Sequence, residues 1–326
     1  MHMKSTTVFK RLKEKKIRRH SNALKPDLTH ENMKERVRYF LSQLVPESCP
    51  ENPVFKAGYD QVHIDEKWFY RMKKSQNFYL GPTEPNPKRS VRNKNYIEKV
   101  MFLCAVARPR FDAPGNCTFD GKIGMWAFVE KKAALKKSKN RKRGTLELKP
   151  IPVVNKEVSR TFLITRVIPA IKAKWPAEDH HRPIYIQQDN AKTHVSVNDK
   201  EVLEAAQAGG WDIRIVCQAP NSPDENILDL GYFASIQVMF HKKMPKNIQE
   251  ILDKVEESFV QYPDQRMNRI WLSHQACMRE TLRLKGSIHY VVPHVKKKLL
   301  EREGRLPIRL KCEPSYILAA EEFLSS

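Results

Sequence analysis

The chain has 326 residues, enough for about two domains with a sizeable core. Its 59 Lys and Arg against 37 Asp and Glu leave a formal net charge of +22, which repels itself unless a polyanion meets it, so nucleic acid is the expected partner. No run of about 18 apolar residues occurs, Met1 to His20 is charged where a signal peptide is apolar, and six scattered cysteines form no CxxC pair or Cys/His cluster, so neither a membrane partner, nor secretion, nor a structural zinc is expected.

The first forty-five residues read as helical and basic. Val8, Phe9 and Leu12 form a short apolar stripe among Lys10, Arg11, Lys13, Lys15, Lys16, Arg18 and Arg19, the candidate DNA-contacting cations of this end. A second helix sets Met33, Val37, Phe40, Leu41 and Leu44 on one face, and Pro46 and Pro50 end it. From Gln61 the period shortens. Val62 to Asp65 alternates, Asn77 to Leu80 is a short strand before Gly81-Pro82, Val100 to Val106 is an apolar run of the kind buried on both faces, and a further strand covers Gly124 to Val129. Lys131 to Arg143 then carries eight Lys or Arg in thirteen residues, including Lys139, Arg141, Lys142 and Arg143; it reads as a solvated loop or as a nucleic-acid contact or import signal.

A helix over Lys156 to Trp175 is disturbed by Pro169, and Ile184-Tyr185-Ile186 is a buried strand. Asp199 to Ala208 is helical, stopped by Gly209-Gly210, and Ile213 to Val216 is the last strand. Beyond Asp229 the pattern is helical, with Ile248, Ile251, Leu252, Val255 and Phe259 on one stripe and Met267, Ile270 and Trp271 opening another. Strands first, then strands alternating with helices, predict an α/β fold with a mixed sheet and helices on its faces.

Acidic residues at strand ends stand out in so basic a chain. Asp65 closes the first strand, Asp189 follows Ile184 to Ile186, and Asp229 opens a helix after the last strand. Sites in open α/β sheets lie at such ends, so the three can converge. Taken singly, each reads as a strand-end residue, a turn former or a helix cap. Together, three carboxylates without His or Cys ligands suit a hard cation such as Mg²⁺, and two ions about 4 Å apart are the established device for in-line displacement at phosphorus.

The surrounding residues sharpen this. Ile64-Asp65-Glu66-Lys67-Trp68-Phe69, then Gln188-Asp189-Asn190-Ala191-Lys192-Thr193-His194, then Asn221-Ser222-Pro223-Asp224-Glu225-Asn226-Ile227-Leu228-Asp229-Leu230-Gly231-Tyr232-Phe233 resemble the mariner-like transposases, above all the plant-type group, and 39 residues lie between Asp189 and Asp229 as in that group. The resemblance runs from about Lys4 to Pro307. It implies a ribonuclease-H-like core with Asp65, Asp189 and Asp229 as catalytic, metal-binding triad, two Mg²⁺ ions with Mn²⁺ accepted, and no small-molecule cofactor. It also implies a nuclear enzyme, acting as a homodimer, that excises double-stranded DNA at terminal inverted repeats and joins it to a TA target. Asn190 and His194 match the family's block and would orient a metal-bound water or phosphate; packing is the alternative for His194. Glu66, next to Asp65, points to the other strand face, Asp224 reads as a turn residue, and Trp68 as core.

The resemblance divides the chain into residues 1–45, a remnant of a helix-turn-helix DNA-binding domain plus a linker helix; residues 55–245, the catalytic core with a basic insertion at 131–150; and residues 246–326, its helical C-terminal part. The family carries two helix-turn-helix units before the core, of which the sequence matches the end of the second, so an N-terminally shortened enzyme, or a non-catalytic DNA-binding derivative, is expected. Glu225 stands where the family has an apolar residue; it would either perturb the metal site or face water.

Overall fold

The computed structural model describes residues 5–14, 16, 25–72, 93, 97–137 and 141–326. The expected strand at Asn77 to Leu80 and the cations Lys15, Arg18, Arg19 and Lys139 lie outside these residues. Helix α1 (Ser5–Lys13) is followed by α2 (His30–Ser42), whose first turn is closed by a capping box in which Thr29 accepts from the Asn32 N–H and Asn32 accepts from the Thr29 N–H. Strands β1 (Gln61–Tyr70), β2 (Lys99–Ala107), β3 (Arg110–Phe111), β4 (Cys117–Phe119), β5 (Lys122–Ala127), β6 (Val129–Ala133) and β7 (Leu146–Pro150) come next.

The strand expected over Gly124 to Val129 is thus two strands. The chain breaks at Phe128, which is buried and donates its N–H to the Met101 carbonyl at 2.8 Å, so the direction changes there. The basic stretch is likewise no plain loop where it is described: β6 and β7 pair antiparallel from Val129↔Pro150 to Ala133↔Leu146, with Lys131 and Lys132 exposed on the first arm and Lys136, Lys137, Lys142 and Arg143 exposed beyond the pairing.

Helix α3 (Lys156–Phe162) passes through a π turn (Leu163–Val167) into α4 (Ile168–Lys174). Pro169 has no N–H to give, and the turn before it widens so that the Ile168 N–H reaches the Leu163 carbonyl. Strand β8 (Ile184–Gln188), helix α5 (Lys200–Gln207) capped by the Asp199 carboxylate, and β9 (Ile213–Cys217) complete the α/β part. A second π turn (Leu228–Tyr232) opens α6 (Phe233–His241), followed by α7 (Ile248–Val260), α8 (Asp264–Arg283), α9 (Lys297–Arg302) and α10 (Pro314–Ser325). Among the described residues no helix is long and apolar enough to cross a membrane, and all six cysteines are unpaired.

The main sheet has the order β5-β2-β1-β8-β9, antiparallel from β5 to β1 and parallel from β1 to β9. Strand period two decides its faces. Val62 and Ile64 of β1, Leu103 and Ala105 of β2, and Ile184 and Ile186 of β8 point to a core shared with Leu163, Val167, Ile171 and Val202. On the other face, Phe69, Phe102, Cys104 and Val106 pack with Phe233, Phe240, Ile251, Val255 and Trp271. The fold is an α/β sheet with helices on both sides. Helix α2, read from sequence with the basic N-terminal stretch, buries Val37 and Phe40 in a third core with Leu272, Ala276 and Leu282 of α8 and Ile317 of α10. Long α8 serves both cores, because its upper residues Met267, Ile270 and Trp271 belong to the second.

Beneath the sheet, His63 and His274 are both buried, with ring centroids 5.6 Å apart, and His63 also meets Trp271 edge-on at 5.0 Å. Burial depresses both imidazoles, His274 to about 4 and His63 well below its ordinary value. An unfolded histidine takes a proton near pH 6.5, so each costs stability as pH falls through 6.5 towards its folded value. Asp65 and Glu225, raised by burial, act oppositely over that window. The measurable quantity is therefore a difference: the stability of His274→Leu relative to the parent should rise by about 3 kcal/mol between pH 6.5 and 4 in urea titrations, and no change with pH would refute the buried neutral pair.

Candidate metal-dependent active site

Strand pairing brings the first two aspartates together. His63 of β1 and Gln187 of β8 are the last pair of that parallel ladder, so Asp65, two residues on and on the same sheet face as His63, and Asp189, just past the end of β8, both lie beyond the same end of the pairing. Asp65 does not close β1, as the sequence pattern had it; the strand runs on to Tyr70 because its antiparallel pairing with β2 continues from Val62↔Ala107 to Tyr70↔Lys99 after β8 has ended. Asp229 arrives from the π turn after β9. Gly231 within that turn has φ +145°, a conformation that side-chain-bearing residues avoid, which explains the glycine two places after the aspartate.

Asp65, Asp189 and Asp229 line one open cleft of about 460 Å³ with Asn190, Gln218 and the Ala219–Pro223 segment. Burial, the charge of Asp229, and those of Glu66 and Asp189 push the Asp65 carboxyl up to about 8. That is the electrostatic signature of carboxylates crowded without enough positive charge. The other two have found cations of the chain. His194 Nδ1 meets Asp189 Oδ1 at 2.7 Å and holds its pKa down, and Lys67 Nζ lies 3.3 Å from Asp229 Oδ1. Among the described residues no group of three or more His, Cys, Asp and Glu side chains forms a ready metal shell. The donor set is nonetheless all oxygen and crowded with like charge, which fits a hard divalent cation; Asp189 and Asp229 are half-exposed and directed at displaceable partners.

Supporting residues take roles that sequence did not separate. His194 is buried and bridges two carboxylates, its Nε2 lying 3.1 Å from Glu66 Oε2. Burial works against the imidazolium, yet the hydrogen bonds to Asp189 and Glu66 outweigh it and raise the pKa, so the ring is charged at neutral pH. Glu66 therefore reaches the site through His194 although it leaves β1 on the opposite face. Asn190 lines the cleft, but its amide donates to the Gln218 carbonyl and so ties the end of β8 to the end of β9. Trp68 is half-buried, with Lys99 Nζ 4.1 Å from its ring centroid.

Two expectations are corrected. Asp224 is not a simple turn residue: its carboxylate is buried and takes a bidentate pair from Arg36, with both N–O distances 2.7 Å. Glu225 neither faces water nor enters the cleft; it is 0% exposed, accepts the Ala219 N–H at 2.6 Å, and is pushed well above the carboxylate range by burial.

Sequence reading missed Lys67, Asn226 and Arg36. Lys67 was findable, because two residues from Asp65 on a strand means the same face. Asn226, whose Nδ2 donates to Asp65 Oδ2 at 3.1 Å, lay inside the motif without a role. Arg36 carried no local signal.

The cations proposed for DNA contact fall into two groups. Lys10, Arg11, Lys13 and Lys16 are exposed on or just after α1, where Phe9 is 72% exposed. Lys142 and Arg143 are exposed at the β6–β7 tip beside Lys136 and Lys137, whereas Arg141 is paired with Glu147.

No protein-family model and no curated protein matches the chain. Solved structures do. A pre-cleavage Mos1 transpososome superimposes with a TM-score of 0.60 at 18% identity, over 87% of this chain and 72% of that one. The Mos1 transposase paired-end complex with left transposon end gives 0.57 at 18% over 86% and 70%, and the catalytic domain of Mos1 mariner transposase gives 0.53 at 16% over 82% of this chain and all of that one. The chain has the ribonuclease-H-like α/β fold of the mariner transposase catalytic domain, as the sequence motifs implied.

Proposed function

We propose that this chain is a metal-dependent DNA transposase, a polynucleotidyl transferase that hydrolyses phosphodiester bonds at terminal inverted repeats and joins the freed 3′ ends to a TA target. The reading rests above all on the convergence of Asp65, Asp189 and Asp229 in one cleft, within a chain of charge +22. Those three carboxylates would hold two Mg²⁺ or Mn²⁺ ions, which supply charge neutralisation at the phosphate and activation of the attacking oxygen. His194 keeps Asp189 ionised and aimed, and Glu66 keeps His194 charged. Asn226 fixes one oxygen of Asp65. The homodimer, the TA target, the nuclear location and the division into residues 1–45, 55–245 and 246–326 rest on the sequence resemblance, and the solved Mos1 complexes with transposon ends, Mn and Mg support DNA and a divalent ion as partners.

The test is end-joining. With Mn²⁺, a labelled oligonucleotide bearing a 3′-OH should become linked to a longer duplex. Shortened fragments alone would make the protein a nuclease, and tight binding with neither product would leave a DNA-binding derivative.

The hairpin predicts a second observable. Exposed Lys136, Lys137, Lys142 and Arg143 are placed to meet the phosphate backbone. Replacing them with glutamine should flatten the dependence of log affinity on log salt by about 0.9 for each phosphate left without a cation, measured by fluorescence anisotropy on duplex DNA. An unchanged slope would remove the hairpin from the interface.

A further inference from the structure

Between the end of β9 and the turn bearing Asp229, the chain crosses under the cleft as an almost wholly buried loop in which Ser222, Asp224, Glu225 and Asn226 are all buried. Its positions are set by specific bonds. The Glu225 carboxylate takes the Ala219 N–H, the Glu225 carbonyl takes Gln187 Nε2 at 2.9 Å, and Asn226 divides its amide between the Leu228 N–H, which it accepts at 3.0 Å, and Asp65 Oδ2. What anchors this loop comes from 188 residues away. Arg36 of α2, 0% exposed, donates Nη1 and Nη2 to the two Asp224 oxygens, Nε to the Gly286 carbonyl at 2.8 Å, and Nη2 also to Thr281 Oγ1 at 3.2 Å, while the Tyr290 hydroxyl donates to the same Asp224. Gly286 permits this approach, since a Cβ there would lie 2.3 Å from the Met33 carbonyl oxygen.

We propose that Arg36 is a positioning residue for the metal cleft, acting through Asp224 and Asn226 on the carboxylate of Asp65. An apolar pair would fill the same space, but only a two-pronged guanidinium–carboxylate contact fixes the direction as well as the distance of the turn. Asn226 is two residues from Asp224 in that turn, so a tilt of the turn withdraws its amide from Asp65 and lets that carboxylate rotate away from its ligating orientation. Partners that orient metal-binding side chains are each worth about 10–100-fold in metal affinity. The inference rests on the proposed metal-dependent reading and assigns a residue to it outside the catalytic sheet.

The experiment is calorimetric Mn²⁺ titration of the full chain, with thermal unfolding measured alongside, on the parent, Arg36→Lys, Asp224→Asn, Tyr290→Phe and, as a destabilised control in the separate core on the other sheet face, Ile171→Ala in α4. Arg36→Lys and Asp224→Asn should weaken Mn²⁺ binding about tenfold or more well below their melting temperatures, and Ile171→Ala should melt earlier with unchanged Mn²⁺ affinity. Parent-like Mn²⁺ affinity in folded Arg36→Lys and Asp224→Asn overturns the proposal. Should both fail to fold, Tyr290→Phe decides: weakened Mn²⁺ binding supports the proposal and parent-like binding overturns it. A parent that takes up no more Mn²⁺ than Asp189→Ala overturns the metal-dependent reading itself, and this inference with it.

Discussion

Asp189→Ala is expected to abolish Mn²⁺-dependent nicking of supercoiled DNA while leaving DNA binding intact. Asp189 follows the end of β8 and lines the cleft with Asp65, and its carboxylate meets His194 and the Ala191 N–H. Removing it takes away one of three carboxylates available to an ion and leaves the His194 charge paired with Glu66. Loss of a single preorganised stabiliser of transition-state charge costs about 10²–10³ in rate, and loss of a metal ligand should cost at least that. Binding should persist or tighten slightly, since one repelling charge is gone from a basic surface. Nicking that survives the substitution, measured as relaxed circle formed per minute at saturating Mn²⁺, would transfer the chemistry elsewhere. His194→Gln is the companion: a smaller fall in rate is expected, because Asp189 remains but is no longer held ionised by an imidazolium.

Arg36→Ala should be strongly destabilising, by about 3–5 kcal/mol in denaturant unfolding. Both partners of this ion pair are buried, and Arg36 joins α2, the end of α8 and the loop under the cleft. The burial of Asp224 by itself would raise its pKa, and the Arg36 contact outweighs that and keeps it ionised. Without Arg36 the charge is left without its cation in a low-dielectric interior, although Tyr290 still donates to it. Adding Asp224→Leu to Arg36→Met should recover much of the loss, as apolar replacements of whole buried pairs do, and the double-mutant cycle gives the coupling. A loss below about 1 kcal/mol for Arg36→Ala would mean that water reaches the pair.

Much of this architecture was legible along the chain. The strands at Val62, Val100, Ile184 and Ile213 and the helices at Met33, Lys200, Ile248 and Met267 follow from side-chain period, because alternation and the 3.6 repeat are local consequences of burying one face. Glycines at 209 and 210 end α5 with φ +79° at both, as a helix-stopping pair should. The break at Phe128 escaped notice because Gly124 to Val129 reads as one apolar run although it spans the end of β5 and the start of β6, which pair with different strands. The hairpin at 129–150 escaped it because charge density suggested a loop, and strand pairing is made by backbone groups that charge does not report.

Sequence by itself determined the charge, the order of most elements, and which three aspartates to look at. Tertiary structure alone decided that Asp65 and Asp189 line one cleft, that Glu225 is sealed inside, and that an arginine of α2 holds a loop 188 residues further on. The division has a physical cause. Secondary structure and net charge are sums over neighbours along the chain, whereas a buried ion pair exists only where folding has removed water from two groups whose sequence positions carry no information about each other.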